Sequence, residues 1–168
     1  MNEIAQKTVL ISGGAGSMGQ LVSDYISSRN DFIMTAIHDP NYDAQEYKIY
    51  KDLTNIEEDI VVEFSPASVI NKNIEKLLDS NADLIIGSSG VSAEMLSKLK
   101  KTIDRKIIVI PNFSIGAAYQ KLFAASLSEN FDSVNITEKH HGKKQDAPSG
   151  TAIDLSLIHI SEPTRLAS

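Results

Sequence analysis

Short runs rich in Val and Ile recur along the chain: "TVLIS" (8–12), "FIMTAI" (32–37), "DIVVEF" (59–64), "DLIIG" (83–87) and "KIIVI" (106–110). Each is continuous rather than alternating. A strand can be apolar on both faces only where both are covered, as in a parallel sheet flanked by helices. Helical patterns lie between the runs. "SPASVINKNIEKLLDS" offers Ser65 as N-cap, Pro66 at the first helical position, and Ile70, Ile74, Leu77 and Leu78 on one face. "SAEMLSKLKKTI" does the same with Ser92 as cap and Met95, Leu96, Leu99 and Ile103 as its stripe. The strand–helix alternation predicts an α/β fold built on a doubly wound parallel sheet.

Elsewhere the pattern changes. Residues 41–55 are polar with weak periodicity and predict a loop with at most a short helix. "PNFSIGAAYQKLFAASLSENF" spaces Ile115, Tyr119, Leu122 and Phe123 as one helical stripe, and "DSVNITEKH" then alternates like a half-exposed strand. A second domain is therefore expected to begin near Asp132, giving a first domain over 1–131.

Composition narrows the function. The chain has 168 residues, long enough for one α/β domain or one domain and part of another. A net charge of -6 argues against a general nucleic-acid binder, because phosphate affinity needs a basic face. Cysteine is absent, so thiolate catalysis, disulfides and cysteine-ligated zinc are excluded, in keeping with a cytoplasmic protein. The apolar run near the N-terminus is too short for a signal peptide or membrane span.

"VLISGGAGSMGQLV" contains Gly14-x-Gly16-x-x-Gly19, with Gly13 ahead of it, directly after the first strand and at the start of a helix. In that context the glycines let backbone N–H groups approach a pyrophosphate, whose charge meets the positive helix end. Residues 1–131 thus read as a Rossmann-type dinucleotide-binding domain. The cofactor-binding candidates are Gly13, Gly14, Ala15, Gly16, Ser17, Met18 and Gly19, together with Asp39 about twenty positions on at the end of the second strand. A carboxylate there favours NADH over NADPH, with His38 beside it softening the discrimination; a plain Asp-Pro turn is the competing reading.

"EKHHGKKQDAPSG" (138–150) gathers cations beside a turn and a helix start. Adjacent histidines on an extended segment point opposite ways and no third ligand is near, so no metal is expected. Taken with "GGAGSMG", "EFSPA", "GSSG" (87–90) and "PNFSIG" (111–116), this segment resembles the 4-hydroxy-tetrahydrodipicolinate reductase (dihydrodipicolinate reductase) family of lysine and diaminopimelate synthesis. The resemblance runs in order from residue 1 to about 154.

The resemblance implies reduction of a cyclic dicarboxylate by NADH or NADPH. It implies His140 as a general acid/base, Lys144 as a proton donor, and His141, Gly150 and Thr151 as substrate contacts. Gly87, Ser88 and Ser89 stand where the family has Gly-Thr-Thr, and with Ile110, Pro111, Asn112 and Phe113 they are expected to contact the cofactor. Glu138 and Asp146 are read as shaping the loop and orienting cations, and Lys143 as a solvated charge. Residues 132–154 become the first part of an α+β substrate domain, incomplete here, and a homotetramer is the family's assembly.

The final residues depart from the pattern. "LSLIHISEPTR" resembles the translation of a transposase-type sequencing adapter, so residues 155–168 are expected to be a non-native tail. On that expectation the chain would bind cofactor weakly and turn over negligibly. Two other functions fit the residues: a non-catalytic nucleotide-sensing module, and another amino-acid-pathway dehydrogenase, though the lack of cysteine disfavours thiol-dependent semialdehyde enzymes.

Overall fold

The computed structural model describes residues 5–160, apart from residues 44, 111, 129 and 141–147, with backbone alone at residues 159 and 160. The chain divides into two compact units, Met1–Ile110 and Pro111–Ser168. That division precedes the change in sequence pattern near Asp132.

In the first unit the five apolar runs become β1 (Lys7–Ser12), β2 (Phe32–His38), β4 (Ile60–Glu63), β5 (Asp83–Ile86) and β6 (Ile107–Val109), and a short β3 (Lys48–Tyr50) lies between β2 and β4 in sequence. All pair in parallel in the order β3-β2-β1-β4-β5-β6. The order reverses between β1 and β4, and it is outside the carboxyl ends of such strands that open α/β sheets bind ligands. Register places Ser12, His38, Tyr50, Glu63, Ile86 and Val109 in one row across that edge.

The continuous apolar runs are explained by two cores. Leu10, Val61, Leu84 and Ile86 pack in one cluster with Ile70, Ile74 and Leu77 of α2 (Ile70–Leu77) and with Met95 and Leu99 of α3 (Ala93–Leu99). Val9, Ile11, Met34, Ile37 and Val62 pack in the other with Ile26 of α1 (Ser17–Ser27). Alternate residues of one strand therefore serve opposite faces, and the central positions of both sets are mostly apolar. Each buried Leu or Ile contributes roughly 1.5–3 kcal/mol.

Local expectations fared unevenly. Ser92 caps α3, its Oγ accepting from Met95 N at 3.1 Å. Ser65 does not cap α2: the helix starts at Ile70 after a turn closed by Pro66 O, and Ser65 is buried within a polar network. Ile103 lies past the end of α3 and is 93% exposed. Residues 41–55, read as loop, supply β3, which three residues of pairing with β2 suffice to define. So short an edge strand leaves little periodicity to detect.

The second unit contains α4 (Ile115–Ser128) and α5 (Gly150–Ile160), which pack together and share the Lys121–Asp154 ion pair at 2.7 Å. Residues 132–140 form no strand, although an alternating pattern predicted one. Among the described residues no partner strand lies beside them, and a strand needs its ladder partner to satisfy the backbone. No helix among the described residues is long and apolar enough to cross a membrane.

Candidate functional site

The glycine loop follows from close packing. Gly13 sits at φ +82, and a Cβ there would meet the Phe64 carbonyl carbon at 2.7 Å. Its N–H donates to His38 O at 2.8 Å, which ties the loop to the end of β2. At Gly19 a Cβ would lie 2.3 Å from Gly13 O, so α1 can begin this close to the loop only with glycine at that position. Gly14 is buried against Ile37, whereas Gly16 and Ser17 are exposed and Ala15 and Met18 are half-buried.

Gly16 is the N-cap of α1, without a side-chain cap, and the first turn holds no acidic residue. Free N–H groups and the positive helix end thus remain available to an anion. The donor set fits a dinucleotide diphosphate.

Asp39 is half-buried and fully engaged. Its Oδ2 accepts from Ala15 N at 3.0 Å and its Oδ1 from Asn41 N at 2.8 Å. One carboxylate therefore fixes the glycine loop and also closes the Asp-Pro turn.

Beneath the loop lies a polar network that sequence reasoning missed. His38 Nδ1 is 2.8 Å from Ser12 Oγ, which is 3.0 Å from Ser65 Oγ. Asn73 Nδ2 donates to Ser65 Oγ at 3.0 Å, and Ser65 N donates to Glu63 Oε1 at 2.6 Å. Burial is the largest influence on His38 and holds its imidazole below the usual range, against the opposing pull of Glu63 and Asp39. The available signal was a polar residue at or beside the end of each of three apolar runs: Ser12, His38 and Glu63. Strand register, not sequence spacing, brings them together.

In the "GSSG" loop, Gly87 N continues the ladder to Glu63 O at 3.0 Å. Ser88 is buried with its Oγ donating to the same carbonyl at 3.2 Å, and Ser89 is exposed. Ile110 N donates to Ile86 O at 2.8 Å. A cavity of about 520 Å³ opens beyond Asp39, where Lys51, Tyr50, Ser65 and Lys72 are among its walls.

The second unit holds a distinct cluster. Ser149 caps α5, its Oγ accepting from Ala152 N at 3.1 Å. The Glu138 carboxylate accepts from Ser149 N at 2.9 and 3.1 Å and lies 3.8 Å from His140 Nδ1. Glu138 thus holds His140 against the start of α5, the loop-shaping part expected of it. Asn112 Nδ2 donates to Thr151 Oγ1 at 3.0 Å, joining the segment after Pro111 to the same helix start. Phe113 is 43% exposed, and among the described residues nothing within 4 Å would meet a Cβ at Gly150. Pro111, His141, Lys143, Lys144 and Asp146 lie outside the described residues.

Comparison with known proteins finds relatives along most of the chain. Residues 7–113 match the family described as dihydrodipicolinate reductase, N-terminus, and residues 115–164 match dihydrodipicolinate reductase, C-terminus. A 4-hydroxy-tetrahydrodipicolinate reductase of Streptococcus pneumoniae (strain Hungary19A-6) is 33% identical over 154 residues, 86% of this chain and 60% of that protein. A dipicolinate-bound dihydrodipicolinate reductase from Paenisporosarcina sp. TG-14 superposes with a TM-score of 0.68 at 27% identity, covering 92% of this chain and 65% of that one. An aspartate semialdehyde dehydrogenase from Candida albicans shares the fold alone, at 16% identity and TM-score 0.53 over 78% of this chain and 49% of its own. The chain spans about 60% of the length of the curated relatives it matches. With one family model covering the sheet and its glycine loop and a second covering the two-helix unit that carries His140, the chain belongs to the dihydrodipicolinate reductase family.

Proposed function

We propose that this chain carries the cofactor-binding part and the first catalytic segment of an NAD(P)H-dependent 4-hydroxy-tetrahydrodipicolinate reductase. The observation that carries the reading is the strand–loop–helix unit, with Gly13 at φ +82 and an α1 N-terminus free of any side-chain cap. The loop from Gly13 to Gly19 would hold the diphosphate, with Asp39 at the adenosine side. Ser88 and Ser89 would face the nicotinamide side. The bound cofactor supplies hydride.

The chain's own residues bind the dicarboxylate and handle the proton. The N–H groups of Gly150 and Thr151, at the start of a helix capped by Ser149, are suited to a carboxylate such as those of dipicolinate, the ligand of the Paenisporosarcina structure. His140 is exposed, and the Glu138 carboxylate 3.8 Å from its Nδ1 orients the imidazole for proton transfer to the substrate. Lys144 would add a second proton donor.

Titration of the chain with NADH and NADPH, followed by nicotinamide fluorescence, tests the cofactor half. Gly13→Ala is expected to weaken both at least about tenfold, since the Cβ must displace the Phe64 backbone. Single-turnover cofactor oxidation with added 4-hydroxy-tetrahydrodipicolinate tests the chemistry. Loss of oxidation in His140→Ala with binding intact supports the role of His140, and an unchanged rate removes it. Binding of neither dinucleotide overturns the reading.

A further inference from the structure

We propose that Glu63 is a positioning residue for the cofactor: its carboxylate holds the Phe64–Ser65 peptide against which Gly13 rests, and so sets the glycine loop for the diphosphate. The inference rests on the dinucleotide reading above and deepens it, since Glu63 itself is 0% exposed and acts through its neighbours.

Glu63 ends β4 where the strand order reverses, as the register partner of Ser12 and Ile86. Both its oxygens accept from neutral donors, Oε1 from Ser65 N at 2.6 Å and Oε2 from Asn73 Nδ2 at 3.4 Å. A fully buried acid in such company costs desolvation that an apolar side chain of equal length would not, so packing does not account for it. What the carboxylate supplies is an acceptor, and the donor nearest to it is the N–H of one peptide unit.

That peptide is the floor of the loop. A Cβ on Gly13 would meet Phe64 C at 2.7 Å, Phe64 O at 2.8 Å and Ser65 N at 3.0 Å, three atoms of the same peptide. A tilt of its plane therefore moves the surface on which Gly13 packs. The displacement would travel onward, because Gly13 O accepts from Gly16 N at 3.1 Å, and Gly16 is the N-cap of α1, whose free N–H groups are those offered to the diphosphate. Close packing leaves no slack to absorb it: a Cβ on Gly19 would lie 2.3 Å from the same Gly13 O. The main chain of Glu63 serves the second loop, its carbonyl accepting from Gly87 N at 3.0 Å and from Ser88 Oγ at 3.2 Å. One residue thus anchors both strand-end loops.

The test measures NADH and NADPH affinities of the intact chain beside those of Glu63→Met, which keeps the length and removes the acceptors, and Glu63→Gln, whose amide oxygen can still accept from Ser65 N. The Met variant is expected to weaken both dinucleotides by about tenfold, since Ser65 N–H is left buried and unpaired, and the Gln variant to stay within about threefold. Amide hydrogen exchange should quicken in the Met variant at Ser65, Gly13 and Gly16 while β5 and α3 keep their protection; an acid that served stability alone would loosen the whole unit instead. In the unsubstituted chain Ser65, Gly13 and Gly16 should exchange through one shared opening, a measurement that needs no variant to fold. Full affinity in the Met variant, equal losses in the Met and Gln variants, or loop amides that open independently of Ser65 overturn the role of Glu63 and leave the dinucleotide reading standing. If the unsubstituted chain binds neither dinucleotide, both fall.

Discussion

Helices α2 and α4 carry similar apolar stripes and meet opposite fates. In α2, Ile70, Ile74 and Leu77 are 0% exposed; in α4, Ile115, Tyr119, Leu122 and Phe123 are each more than half exposed. The difference lies outside the helices. Helix α2 has a six-stranded sheet to cover, and its stripe fills the spaces left by Leu10, Val61 and Leu84. Helix α4 has α5 as its packed partner, and one helix covers only part of the other's circumference. Periodicity thus specifies a face that should be buried, without specifying what buries it.

The sharpest attack on this comparison pairs two truncations. Ile74→Ala is expected to cost about 2–5 kcal/mol by lost burial and the cavity left behind. Leu122→Ala should stay within about 1 kcal/mol, because the side chain is already 56% exposed. Urea unfolding followed by far-ultraviolet circular dichroism measures both. A Leu122→Ala cost matching that of Ile74→Ala would mean that α4 is covered in solution, and the contrast would collapse.

The caps should erase the difference between the two units. Ser92 and Ser149 each accept from the N–H three residues on, at 3.1 Å in both cases, while their carbonyls accept from the residue four on. Ser92→Ala and Ser149→Ala are each expected to cost about 1 kcal/mol, read as lost helicity and a lower unfolding midpoint. Unequal costs would show that capping depends here on tertiary support.

The smallest expected effect is one of pH, confined to the first unit. Burial holds the His38 imidazole below its ordinary value of 6.5, so the unfolded chain takes up this proton at higher pH than the folded one. Its contribution to stability is complete above pH 6.5 and is lost as pH falls through the depressed folded value. Unfolding midpoints across this range should decline toward acid, and His38→Gln should flatten the decline. An equal slope in the variant would assign the decline to other groups.

Much of the first unit was legible because its signals are local or periodic. Five apolar runs marked five strands, Ser92 marked a helix start, and the Gly13–Gly19 string marked a strand-to-helix turn that the backbone at Gly13 requires. Strand β3 escaped notice because three residues carry too little periodicity. Ser65 misled because a serine before a proline resembles a cap, whereas its N–H and hydroxyl are held by Glu63, Asn73 and Ser12. Ile103 continued a stripe in sequence after the helix itself had ended at Leu99.

The candidate site divides the same way. The roles of Gly13, Gly14 and Gly19 are steric and local, and the capping of α5 by Ser149 needs only its own next turn. The Ser12–His38–Ser65–Glu63 network and the cavity beyond Asp39 are assembled across positions distant in sequence. By itself the sequence determined the parallel α/β architecture, the glycine loop and the family, because strand burial, turn geometry and motif order are properties of contiguous residues. Only the tertiary structure decided which polar strand ends meet and that Asp39 spends both oxygens on backbone donors, because those contacts depend on sheet order and register.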